Sequence, residues 1–293
     1  MGISVNKWAI LLILVAFIWG TTFAVMKDLL EQVSLFNFLF WRFFLAGIFL
    51  AIWSGPRWKS LDSTRFRQGI FMGFLLFSGY LTQVLGLNWT TASQAGFITG
   101  LSVILVPLIA LIIGQEPLRK KSLLGAVLAV IGLYLLNYVD QLYFGLGEFL
   151  VFLCAIFFAL YIVFVSRFAP EADGPPFVAL QILFMTFLMG ILALFFAPYK
   201  PWDLSYLTGL QWLQIAYMGI GATALAYLWE HKAQQVISAT FAALAFALEP
   251  VFATIFAFFY LGEVLPGASY FGGLLIVYGM FLAGREEKKV VGV

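Results

Sequence analysis

Apolar residues run along this chain in long unbroken blocks, and polar residues gather in the short gaps between them. The blocks are Trp8 to Met26, Leu35 to Trp53, Gly69 to Leu87, Ala92 to Ile113, Leu123 to Val139, Leu146 to Val165, Phe177 to Ala197, Leu210 to Trp229, Ile237 to Leu261 and Tyr270 to Ala283. Most come close to the roughly 20 residues that an α-helix needs to cross the hydrocarbon core of a bilayer. None shows the residue-by-residue alternation of a barrel strand, so the expected elements are ten transmembrane helices. The gaps carry turn and stop residues, among them Ser54-Gly55-Pro56, Gln115-Glu116-Pro117, Gly174-Pro175-Pro176 and Pro266-Gly267. The first block is too long for the apolar core of a signal peptide and is read as the first helix.

The landmarks between Gly79 and Leu135 return once at a constant shift of 147 positions. Tyr80-Leu81 returns as Tyr227-Leu228, and Ala92, Ala95, Leu101 and Glu116 return as Ala239, Ala242, Leu248 and Glu263. Gly125, Gly132 and Leu135 return as Gly272, Gly279 and Leu282. A shift held without a gap across three apolar blocks reads as duplication. The halves are 1–140 and 145–293, five helices each.

Composition agrees with the pattern and adds a limit. With 63% hydrophobic and 10% charged residues and a mean hydropathy of +1.01, the chain is an integral membrane protein with no room for a separate soluble domain. The positions of the charges say more than the net value of +2. With the N-terminus in the cytoplasm, 13 of the 16 lysines and arginines fall on that side, and only Lys27 and Lys200 fall outside. The positive-inside bias therefore places both termini in the cytoplasm. Because five is odd, the second half then starts from the opposite side, and the two repeats are inverted. Inverted repeats can exchange conformations at similar energy, which is the architecture of alternating access.

The quoted residues also resemble a known group. Phe17-Ile18-Trp19-Gly20, Trp41-Arg42-Phe43, the Ala-x-x-Ala openings of the fourth and ninth blocks, Pro107, Glu249-Pro250, and Leu261-Gly262-Glu263 followed by Gly272 and Gly279 together look like the drug/metabolite transporter superfamily, EamA type. The resemblance covers the whole chain. It implies two inverted five-helix repeats, a path lined by the first, third, fourth, sixth, eighth and ninth helices, and export of amino acids or other small metabolites from a bacterial inner membrane. One departure is that Ser102-Val103 stands where the second repeat has Glu249-Pro250.

Polar and aromatic groups that face the bundle interior point to a site. On the third helix these are Ser78, Tyr80, Thr82 and Gln83; on the eighth, Thr223, Tyr227 and Glu230 share one stripe. Tyr80 with Tyr227, and Gln83 with Glu230, are repeat partners expected to face each other. Trp19, Thr22 and Phe23, then Gln94, Thr99 and Ser102, then Phe158 and Tyr161 extend the same path. Such an apolar, aromatic wall suits neutral or zwitterionic solutes, amino acids with large apolar or aromatic side chains included, and disfavours sugar phosphates and nucleotides. Glu249 is read either as a proton- or amine-binding carboxyl or as a structural one; Arg42 is read as structural, and His231 as interfacial. Glycines 125, 132, 272, 273 and 279 are read as points of close helix contact.

A multidrug exporter differs from a metabolite exporter only in pocket selectivity, and stays the alternative. A membrane-embedded lipid-acting enzyme or a scramblase is the reading from another class. One cysteine, one histidine and no HExxH or GxSxG leave no catalytic set. No enzyme activity, cofactor, metal or nucleic-acid partner is therefore expected; the expected partners are a small-molecule substrate and membrane lipid. A ten-helix inverted repeat encloses its path in one chain, so a monomer suffices.

Overall fold

A computed structural model describes residues 2–30, 32–137, 145–198, 200, 207–261 and 266–290. The side chain of Phe23 and the whole of Glu263 lie outside the described residues. The apolar blocks are helices: α1 (Gly2–Leu30), α2 (Leu35–Ser54), α3 (Ser63–Leu87), α4 (Ala92–Gly100), α5 (Ser102–Ile112), α6 (Lys120–Leu136), α7 (Leu146–Phe168), α8 (Gly174–Phe196), α9 (Gly209–Ala216), α10 (Ala226–Gln234), α11 (Ala239–Phe246), α12 (Glu249–Leu261) and α13 (Gly267–Val290). Among the described residues, seven helical stretches are long and apolar enough to cross a membrane. The outer surface is apolar, with Ile10, Ile52, Ile112, Phe187, Leu213 and Phe281 exposed on different helices. A lipid-facing bundle presents such a surface, and water does not tolerate it over this extent.

Helix starts follow local chemistry. The side-chain oxygens of Thr91 and Ser238 accept from the backbone N–H groups of Gln94 and Phe241, and these two N-caps are themselves repeat partners. Each satisfies a donor that the first helical turn leaves free.

Three of the expected helices are not continuous. The fourth block breaks at Leu101, whose N–H turns to the carbonyl of Ile98 at 3.1 Å; the ninth breaks at Ala247 and Leu248, where the Leu248 N–H turns to Ala245 at 3.1 Å. Both are local tightenings to a three-residue step. Leu101 and Leu248 are repeat partners, so the breaks match although the nearby prolines, Pro107 and Pro250, do not. In the eighth block, residues Tyr217–Leu225 form a π-helical stretch. The Thr223 hydroxyl donates to the carbonyl of Met218, five residues back, at 2.8 Å. Gly219 is needed in this stretch because a Cβ there would lie 2.8 Å from the carbonyl oxygen of Arg42.

The largest contacts between helices are α6 with α13, α2 with α8, α3 with α7 and α3 with α8. At the crossing of α6 and α13, a Cβ on Gly125 would meet the carbonyl oxygen of Gly279 at 2.5 Å, and one on Gly132 would meet that of Gly272 at 2.5 Å. Gly273, expected to make the same kind of contact, has only Val251 near it, at 3.7 Å. Two buried apolar cores result. One centres on α4, α5, α6 and α11, with Val106, Leu133 and Leu244; the other centres on α2, α3 and α8, with Phe38, Met72 and Phe177.

Candidate functional site

In the second core, Tyr80 of α3 and Tyr227 of α10 meet hydroxyl to hydroxyl at 3.1 Å. They are separated by the repeat shift itself. Aromatic rings surround the pair. Phe43 and Phe158 stand edge-on to Tyr80 with centroids 5.0 and 5.4 Å away. Trp19 and Tyr161 flank Tyr227 at 5.6 and 5.7 Å, and Trp19 continues to Phe246 at 5.0 Å. The indole N–H of Trp19 donates to the carbonyl of Ala222 at 2.8 Å, an acceptor within the π-helical stretch, so the break in α-helical geometry holds the indole against the tyrosines. Such stretches recur at functional sites for this kind of reason.

One positive charge enters the cluster. Arg42 of α2, buried, donates from Nε to the Thr223 hydroxyl at 2.9 Å. Its guanidinium lies 5.5 Å from the ring of Phe43 and 5.9 Å from that of Tyr80. A desolvated cation over aromatic faces is stabilised by up to about 2 kcal/mol per ring. The same charge acts on the carboxyl of Glu249 at the start of α12. Arg42, expected to be structural, lies against Tyr80 and Thr223. A lone arginine inside an apolar block was the available signal.

The remaining site residues fall into groups. Tyr161 donates to Oε1 of Gln181 at 3.0 Å. Glu230, three residues beyond Tyr227 and 1% exposed, accepts from Gln234 Nε2 at 3.2 Å. Gln83 reaches Thr99, not its repeat partner Glu230, at 3.5 Å. Gln94 accepts from Thr90, which also donates to Glu148. Thr22 and Thr82 donate to carbonyls of their own helices, at Trp19 and Ser78, so these hydroxyls are occupied. Ser78 is buried and Ser102 half-buried. His231, expected at an interface, is 2% exposed. Its Nε2 lies 3.3 Å from the carbonyl of Ala172 and its ring 5.7 Å from that of Phe177, because α10 runs on past the end of the expected helix.

Glu116 was noted in the sequence only as a repeat landmark. Its carboxylate accepts from the backbone N–H of Ala239 at 2.6 Å, from that of Thr240 at 3.3 Å and from the Thr240 hydroxyl at 2.8 Å. A residue of the first half thus caps the N-terminus of α11 in the second. There the helix dipole and unpaired N–H groups favour an anion.

Comparison with known proteins fits this arrangement. The model of the EamA-like transporter family matches residues 6–138 and again residues 145–285. An uncharacterized transporter of Archaeoglobus fulgidus is 33% identical over 271 residues, covering 92% of this chain and 83% of that protein. The uncharacterized transporter YyaM of Bacillus subtilis is 26% identical, covering 90% of this chain and 89% of its own. A crystal structure superposes with a TM-score of 0.80 at 22% identity, covering 96% of this chain and 98% of the other, a likeness of fold.

Proposed function

This chain belongs to the EamA-like transporter family, and from that premise we propose that it exports small neutral or zwitterionic metabolites by alternating access, with amino acids bearing large apolar or aromatic side chains as the favoured solutes. A multi-pass membrane transporter is what the family and the helices establish; the substrate and the cycle are our reading. The contact of Tyr80 with Tyr227 carries it, since it sets two hydrogen-bonding hydroxyls inside an aromatic wall at the meeting point of the halves.

Two inverted five-helix repeats, 1–140 and 145–293, are supported by the double family match and by the symmetry of the contacts. Gly125 meets Gly279 and Gly132 meets Gly272, which is one contact written twice under exchange of repeat partners, as in an isologous interface. The lysine and arginine bias supports cytoplasmic termini in a cell membrane of the bacterial inner-membrane type. On that orientation we assign the Glu116 cap to the cytoplasmic end of the path, as the contact that closes it.

Uptake by proteoliposomes of labelled phenylalanine, serine and a lipophilic cationic dye tests the function. Saturable phenylalanine flux is expected. Tyr227→Phe removes one hydroxyl and leaves its partner unpaired, which costs about 1–3 kcal/mol, so KM for phenylalanine is expected to rise about tenfold. Flux of the dye alone would replace the metabolite exporter with a drug exporter. Absence of saturable flux for the whole panel would remove the carrier reading in favour of a lipid-acting protein.

A further inference from the structure

Three polar atoms buried around the tyrosine cluster have no hydrogen-bond partner: Oε2 of Glu230, Oε1 of Gln234 and Nε2 of Gln181. The first two belong to side chains already joined, since Gln234 Nε2 donates to Glu230 Oε1 at 3.2 Å. A carboxyl and an amide joined by one such bond need a single hydrogen to close the second bond of a cyclic acid–amide pair, from Oε2 to the amide oxygen. The two orphaned acceptors are the two ends that such a bond would join.

Among the described residues, none that faces Glu230 supplies the hydrogen or balances the charge; Arg42, the cation of the cluster, acts on Glu249 and not on Glu230. Glu230 forms no ion pair among the described residues. On its own helix the titratable neighbours are Tyr227, His231 and Lys232; Lys232 is exposed, and His231 is turned to the Ala172 carbonyl. Tyr161 faces it from α7, with Tyr80 of α3 beyond Tyr227. Helix α8 presents Gln181 and no titratable side chain, and Asp173 stands before its first turn. Glu171, in the short turn ahead of α8, is paired with Arg65. The described side chains of α1 offer only Lys7, exposed at its far end, and the π-helical stretch only Tyr217, bonded to Thr21 at 2.6 Å. A bare carboxylate at 1% exposure with no cation costs several kcal/mol. A buried acceptor without a donor costs about 1–3 kcal/mol more.

We propose that Glu230, seated on Gln234, is the proton-binding site of this transporter and carries one hydrogen ion against each solute molecule. This rests on the transporter reading above. The carboxylate takes a proton from water on the side to which the path is open, closes the acid–amide pair with Gln234 when sealed, and returns the proton to water on the other side. One O–H bond forms and later breaks, and no electron moves. The position suits exchange, because Glu230 follows by one helical turn the tyrosine that lines the solute path.

The test is the ratio of labelled phenylalanine accumulated with and without a pH gradient in proteoliposomes. Exchange of one proton per neutral solute gives a ratio of about ten per pH unit in the wild type. In Glu230→Gln the ratio is expected to fall to about one, while Glu230→Asp, which keeps a carboxyl, stays well above one; a merely structural role would not separate the two variants. A wild-type ratio of one with saturable flux overturns the proposal and leaves the exporter standing. A ratio lost in Glu249→Gln and kept in Glu230→Gln overturns it in favour of the other interior carboxyl. A solute-free measurement stands beside these: the infrared carbonyl band of a protonated carboxylic acid is expected in the purified wild type and not in Glu230→Gln. Its absence from the wild type also overturns the proposal.

Discussion

Leucine in place of Gly132 is expected to leave little folded protein, and to lower stability by about 3 kcal/mol or more in whatever is recovered. A Cβ at this position would lie 2.5 Å from the carbonyl oxygen of Gly272 and 2.7 Å from Cγ1 of Ile276. The flexible isoleucine side chain can turn away, but the backbone oxygen cannot, so α6 and α13 must separate along their whole crossing. Overpacking of a well-filled interior typically costs about 1–3 kcal/mol. Parting two helices loses in addition the close packing that holds them together where lipid offers no hydrophobic drive. Gly279→Leu should cost a similar amount, because its Cβ would meet the Gly125 oxygen at the same 2.5 Å. Gly267→Ala, with nothing within 4 Å, is the control and should stay within about 0.5 kcal/mol of the wild type. Thermal unfolding in detergent, followed by loss of a monodisperse peak, measures all three. A Gly132→Leu protein as stable as the control would show that the helices do not approach this closely.

The second large effect concerns the end closed by Glu116. Replacing it with alanine removes the acceptor for two backbone N–H groups and one hydroxyl of the opposite half. Loss of a helix cap costs about 1 kcal/mol, and loss of charge-assisted bonds at a half-buried site adds about as much. A total of about 2 kcal/mol shifts the balance between closed and open forms about 30-fold toward opening at that end. A single cysteine placed beside the cap, at Ile237, which is 1% exposed and donates nothing to Glu116, reads this out through its rate of labelling by a membrane-impermeant thiol reagent. Its background should replace Cys154, although that thiol is buried and unreactive by position. Glu116→Gln, which keeps an oxygen acceptor without the charge, should fall between. An unchanged labelling rate in Glu116→Ala would reduce the cap to a local helix stop with no part in closure.

Much of the fold was legible in hydrophobic pattern because lipid imposes a strict rule: every backbone polar group must be satisfied within its own segment, and only helices of sufficient apolar length do so. The starts at Leu35 and Leu146 coincide with the observed helix starts. The ends were less legible. Helix α3 begins at Ser63, before the apolar block, because Asp62 caps it and accepts from the Arg65 N–H at 2.7 Å. Apolar content says nothing about a cap.

Within the candidate site, residue type and the repeat register pointed to Tyr80, Tyr227, Trp19, Phe158, Tyr161 and Thr223, which the structure gathers in one cluster. They did not point to Arg42, Gln181 or Gln234. The first was assigned away from the path by analogy of helix position, and the amides acquire meaning only from the atoms left unpaired beside them.

The sequence by itself determined that the chain lives in a membrane as helices and which apolar blocks form them. Those properties depend on composition, block length and register, all of them local or additive along the chain. Tertiary structure alone decided where helices break, which hydroxyls are spent on their own backbone and which meet between helices, and which carboxyl is left a hydrogen short. Those depend on the distances between groups on different helices, and a distance of 3.1 Å between residues 147 positions apart is set by the packing of every helix between them.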